Sequence, residues 1–214
     1  MNAAREQILG ALRAGLRGAT VPELPPVPVA ATIPPGERVA RFTAVLTGIG
    51  GRVDRVADLP AAAATVRAML AAANVQRVAF SDAPELATFT RGLPPATTVL
   101  PANAPRDELL AADAGVTFAQ WGIAETGTLV LESAREQHRL ASLLPALHIA
   151  VLPCARLLGT LGDAFAALRG PGGAPASRTI TFVTGPSRTA DIELTLVVGV
   201  HGPKLLHVVL VDQA

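Results

Sequence analysis

The chain has 214 residues, half of them apolar, and a formal charge of +1 at neutral pH; that is enough for one sizeable core and gives no reason to expect a nucleic-acid partner. Aromatic residues are only 3% of the chain, so platforms for stacking bases are few. Mean hydropathy is +0.41, but alanine carries most of it and no uncharged apolar run reaches the roughly 18–20 residues of a spanning helix, so no membrane insertion is expected.

The first predicted element is an amphipathic helix over residues 3–17, with Ile8, Leu9, Leu12 and Leu16 on one face and Arg5, Glu6, Arg13 and Arg17 elsewhere. Its regular charges rule out a secretory signal, and the cytoplasm is the expected location. Prolines at 22, 25, 26, 28, 34 and 35 then predict an extended tether. Residues 1–36 are thus read as a helical arm and tether, and 37–214 as a single α/β domain. The arm has two places to pack, its own domain or another subunit, which leaves a homo-oligomer open.

From Glu37 on, short apolar runs alternate with alanine-rich helical stretches. GGRVDRVA predicts a strand, LPAAAATVRAMLAAA a helix, VQRVAFS a strand and APELATFTRG a short helix. ATTVLP predicts a strand, PRDELLAA a helix and AGVTFAQ a strand. This order predicts a mostly parallel open sheet with helices on both faces. Beyond Gln120 come two short strands around Glu125-Thr126-Gly127-Thr128, a buried strand ALHIAVLP, a helix LLGTLGDAFAALRG and strands TITFVT, LTLVVGV and LLHVVLVD. Neither G-x-G-x-x-G nor a P-loop occurs, which argues against a usual dinucleotide or P-loop nucleotide site. A lone cysteine, Cys154, excludes an internal disulfide and any four-cysteine cluster or zinc site supplied by this chain alone.

Four stretches carry polar groups between apolar segments. In AETGT, Glu125 with Thr126, Gly127 and Thr128 reads either as a general base or nucleophile beside oxyanion-stabilising amides, or as a solvent-side hairpin cap. In SLLPALHI, His148 reads as a proton carrier or as a core histidine bonded to a neighbour, and Ser142 as a cap or a ligand contact. In TGPSRTADIE, Thr184 sits at a predicted strand end, Gly185 and Pro186 shape a turn, and Ser187, Arg188 and Thr189 offer hydroxyls and a guanidinium to a carboxylate or phosphate. The competing reading pairs Arg188 with Asp191 or Glu193 in a self-satisfied knot. In VHGPK, His201 precedes a Gly-Pro turn that is either a plain hairpin or one that brings His201 and Lys204 to a shared pocket. The four histidines make no metal-binding spacing.

Taken in order, GIAETGTLVL at 122–131, R..SLLP.LHI at 139–149, TGPSRTADIELTLVVGVHGP at 184–203 and LHVVLVD at 206–212 resemble the LUD family, the lactate-utilisation protein C group. The resemblance covers about half the chain, residues 114–212. It implies a fold similar to the NagB/RpiA/CoA-transferase group and a role in oxidising L-lactate to pyruvate in the cytoplasm, together with iron–sulfur partner proteins. No cofactor is expected in this chain, since in that system the cluster-bearing cysteines belong to the partners. Within this reading Glu125 and His148 are candidate catalytic groups. Thr126, Gly127, Thr128, Ser142, Thr184, Gly185, Ser187, Arg188, Thr189, Asp191 and His201 are candidates for holding a small organic acid such as lactate. The resemblance does not decide whether the chain is itself an enzyme. The alternative is a stand-alone enzyme with a CoA-transferase-like or sugar-phosphate-isomerase-like site built on Glu125.

Overall fold

The computed structural model describes residues 3–20, 23, 32–101, 103–135, 139–170, 177–189, 197–199 and 201–214. The chain divides into two compact units between Ala30 and Ala31. In the first, helix α1 spans Ala3–Gly15 and exposes Ile8, Leu12 and, just beyond it, Leu16.

The second unit opens with α2 (Pro35–Gly48), a helix where the prolines at 34 and 35 predicted tether. Pro34 is its N-cap and Pro35 lies in its first turn, where a missing amide hydrogen costs nothing and the fixed φ favours the helix. Phe42 and Leu46 form its buried face. Next come β1 (Arg52–Asp58), α3 (Leu59–Ala72, capped by the Asp58 carboxylate accepting from the Ala61 amide), β2 (Arg77–Phe80), β3 (Thr98–Leu100), α4 (Arg106–Leu110) and β4 (Ala114–Phe118). The expected helix over 83–92 is a single 3-10 turn at Pro84–Leu86, followed by turns.

Then follow β5 (Trp121–Ile123), β6 (Thr128–Glu132), α5 (Arg139–Leu143), β7 (Leu147–Pro153), β8 (Leu157–Leu158), α6 (Leu161–Ala167) and β9 (Ile180–Val183). β10 (Arg188–Thr189), β11 (Val197–Val198) and β12 (Leu205–Gln213) complete the order. The helix predicted from Leu157 begins only at Leu161. Thr160 and Asp163 form a capping box there, and the two leucines before it extend as β8.

Six strands in the order β1-β12-β7-β4-β2-β3, all parallel, make the central sheet. Such a sheet must be covered on both faces, hence its near-continuous Val, Ile, Leu and Ala. One face buries Val78, Val116, Ile149, Val151, Val209 and Val211 against Val66 and Leu70 of α3. The other packs Ala150, Leu152, Val208 and Leu210 against Phe42 and Leu46 of α2 and Leu129 and Leu131 of β6. A second sheet, β8-β5-β6-β9, is mixed, with β9 antiparallel to β6. β10 and β11 form a separate antiparallel pair.

Candidate functional site

A cavity of about 310 Å³ gathers Ser142, His148, Thr184, Gly185, Ser187, Arg188 and His201. These residues come from three of the polar stretches, spread over some sixty positions, and the packing of three local structures brings them together.

The floor is His148, fully buried on β7. In register it lies beside Gly115 of β4, and two residues further along the same face the Thr117 hydroxyl is 2.9 Å from its Nε2. The absent side chain at Gly115 admits α5, whose Ala141 carbonyl oxygen would lie 1.8 Å from a methyl placed there. α5 in turn carries Ser142, buried, its hydroxyl donating to the Arg139 carbonyl at 3.1 Å. Ser142 is therefore a hydroxyl satisfied within its own helix that also faces the cavity.

The opposite wall is the turn after β9. Gly185 takes φ of +82°, a conformation that favours glycine, and sits close against Ile49 at the end of α2. The Ser187 amide donates to the Pro203 carbonyl at 2.9 Å, and Gly202 packs against the Ser187 side chain and the Leu143 carbonyl. This locks the VHGPK turn beside the TGPSR turn and puts His201 at the rim. Arg188 is exposed and donates from one η-nitrogen to the Ile49 carbonyl. A guanidinium at a helix C-terminus meets the negative end of the helix dipole, which orients the group without neutralising it. Thr189 continues β10 opposite Val197. Asp191 and Glu193, the alternative partners of Arg188, lie outside the described residues.

The AETGT stretch touches this cavity only through hydroxyls. The Thr128 Oγ1 lies 2.7 Å from that of Thr126 and 2.7 Å from that of Thr184, so a three-hydroxyl chain runs from the β5–β6 turn to the cavity wall. Gly127, at φ +63°, is pressed so closely on α2 that an added methyl would lie 2.8 Å from the Leu46 nitrogen. Glu125 faces elsewhere. Its Oε2 accepts the Leu161 amide hydrogen at 3.0 Å, at the first turn of α6, and it is not among the cavity's lining residues. The structure thus brings His148, Ser142 and the TGPSR residues together and leaves Glu125 apart.

Thr184 does follow a strand, but β9 belongs to the mixed sheet, and the cavity lies by the amino ends of β7 and β12. Ligand binding at carboxyl ends is a property of open parallel sheets, so strand position alone does not support this cavity. Its support is chemical: a guanidinium, hydroxyls and two imidazoles around a space sized for a small molecule. Two contributors escaped sequence reasoning. Thr117 has a faint signal, a hydroxyl within an apolar strand. The Ile49 carbonyl has none.

Titration is clearly displaced at the other end of the sheet. Burial, reinforced by a 3.3 Å hydrogen bond to Asp212, pushes the Cys154 thiol up to about 11. The 2.8 Å hydrogen bond from Arg55 holds the Asp212 carboxyl below its ordinary range.

Comparison with known proteins agrees with this architecture. Residues 39–211 match the family model of the LUD domain. The lactate utilization protein C of Halalkalibacterium halodurans is 44% identical over 94 residues, 43% of this chain and 41% of that protein. The protein of the same name from Bacillus subtilis is 42% identical over 94 residues, 43% of this chain and 39% of that protein. That from Anoxybacillus flavithermus is 38% identical over 112 residues, 50% of each. The matched stretch therefore spans half or less of these relatives. A crystal structure of a DUF162-family protein from Deinococcus radiodurans superposes with a TM-score of 0.58 at 25% identity, covering 84% of this chain and 99% of that one.

Proposed function

The chain belongs to the LUD-domain family, and from that premise we propose that it serves lactate utilization as the cluster-free component of a cytoplasmic system oxidising L-lactate to pyruvate. It holds a small carboxylate in the cavity beside Arg188 and works alongside iron–sulfur partner proteins. The names of its relatives support the pathway. The observation that carries the site is the convergence of Ser187, Arg188, His148 and His201 on one small cavity. Arg188 is oriented by the end of α2 and has further N–H groups to offer a carboxylate, while the hydroxyls and imidazoles suit a hydroxyl or keto oxygen beside it.

Oxidation of lactate to pyruvate removes two electrons and two protons. The imidazoles are proton-accepting groups of the cavity. The electrons need an acceptor of another kind, a role this reading gives to the iron–sulfur partners, in keeping with the single cysteine of this chain. Because Glu125 caps α6 outside the cavity, no covalent step is placed on it.

The test is binding of L-lactate and pyruvate to the purified chain, with lactate-dependent growth as the cellular readout. Ligand at 100-fold its Kd should raise the unfolding midpoint by roughly 5–10 °C. Arg188→Ala and, as a milder change, Ser187→Ala should each weaken binding and impair growth on lactate. If neither acid binds the wild-type chain, or both variants bind as it does, the reading is wrong.

A further inference from the structure

A different crevice, of about 400 Å³, lies at the carboxyl edge of the parallel sheet. Its walls include Pro84 and Glu85, which follow β2, and Gln120 and Trp121, which follow β4. These strands are neighbours, and the chain leaves them in opposite directions, from β2 outward to β3 and from β4 inward to β7. Such a reversal opens a gap outside the strand ends, the position where open α/β sheets bind small molecules.

The crevice is built around an acid. Glu132 is only 4% exposed, and its two oxygens accept from the Trp121 indole N–H at 3.2 Å and the Ser177 hydroxyl at 3.0 Å. Gln120 holds this arrangement in place, accepting the Glu132 amide hydrogen at 2.6 Å and donating to the Phe118 carbonyl at 2.8 Å. Both donors to the carboxylate are neutral, and among the described residues no lysine or arginine forms an ion pair with it. A desolvated carboxylate whose hydrogen-bond donors are neutral gains from a cation placed directly against it.

Arg135 and Arg156 line the same crevice. Arg156 is held over the Phe118 ring, 5.1 Å from its centroid, and reaches Glu85 only at 3.7 Å, long for a charge-assisted hydrogen bond and readily exchanged for a better carboxylate. Arg135 is exposed and forms no ion pair among the described residues. The crevice therefore presents guanidinium groups in its outer part and a buried, cation-seeking carboxylate within, with the half-exposed Trp121 ring as an apolar wall.

We propose that this crevice is a second small-molecule site and that it takes an α-amino-acid-type zwitterion. The ligand's ammonium is held by Glu132 and its carboxylate by Arg156 and Arg135. The site is separate from the Arg188 cavity and does not depend on what that cavity binds.

Calorimetric titration of the full chain with the standard L-amino acids tests the proposal. The tightest binder is then compared with its des-amino acid and its decarboxylated amine. At least one amino acid should bind, and loss of either charged group should weaken it about tenfold or more, as for other hydrogen bonds to charged groups. Glu132→Gln, nearly isosteric, should erase the preference for the ammonium, and Arg156→Gln the preference for the carboxylate. Arg188→Ala should keep the affinity. Absence of amino-acid binding, or equal binding of the des-amino acid, overturns the proposal. So does unchanged affinity in Arg156→Gln, the deciding variant should Glu132→Gln fail to fold.

Discussion

Cys154 sits where β7 ends, between the buried end of that strand and the Asp212 carboxylate. A thiol titrating near 11 is present as thiolate in only about one molecule in ten thousand at pH 7, and the thiolate is the reactive form. Alkylation by iodoacetamide should therefore be very slow in the native protein at neutral pH and accelerate steadily up to about pH 11, whereas the unfolded chain reacts at an ordinary rate. The same shift has a consequence for stability. The folded state keeps this proton above the ordinary value of 9.0, so the contribution is complete below pH 9.0 and is lost as the pH rises through about 11. In urea melts across that window, Cys154→Ala should show a flatter alkaline decline than the wild type. None of this was legible in the sequence, where Cys154 is simply the lone cysteine. Its raised titration comes first from burial at the end of β7 and then from the Asp212 carboxylate, 58 positions away, while Arg55 acts in the opposite direction.

At the scale of elements, the C-terminal end of α2 organises the site. Gly127 presses on Leu46, Gly185 on Ile49, and Arg188 donates to the Ile49 carbonyl, so two polar stretches far apart in the chain share one anchor. α5 holds the opposite side through its close approach to Gly115. Gly115→Ala should push α5 off the sheet, destabilise the fold by roughly 1–3 kcal/mol or more by overpacking, and weaken binding in the Arg188 cavity. Denaturation midpoints and the lactate titration together check this. At α6, Thr160→Ala removes the capping hydroxyl and should cost about 0.5–2 kcal/mol, read from the same melts. Sequence periodicity located most of these elements, but it gave no helix at α2 and started the α6 helix too early. At α2 the prolines looked like breakers because their effect depends on position within a turn. At α6 the leucines of β8 fitted a helix until β5 was there to pair with them.

At the scale of the whole molecule, every sheet strand and every buried core cluster among the described residues lies within residues 31–214. A chain beginning at Ala31 should accordingly unfold in one cooperative transition, with a midpoint within about 2 °C of the full-length protein, a change of no more than about 1 kcal/mol. Separate transitions or a larger drop would show that α1 contributes to the core. The sequence by itself determined the α/β class, the parallel sheet and the stretches that carry polar chemistry. Those follow from local rules: the periods of strand and helix, the apolar runs of a doubly covered sheet, and hydroxyls and charges standing out against them. Which of those groups meet was decided by tertiary structure alone. His148, Arg188 and His201 share a cavity while Glu125 turns to cap α6. The crevice around Glu132 exists because β2 and β4, 37 positions apart at their starts, lie side by side. Strand order and the choice of backbone partner are set by long-range packing, and local sequence carries no record of either.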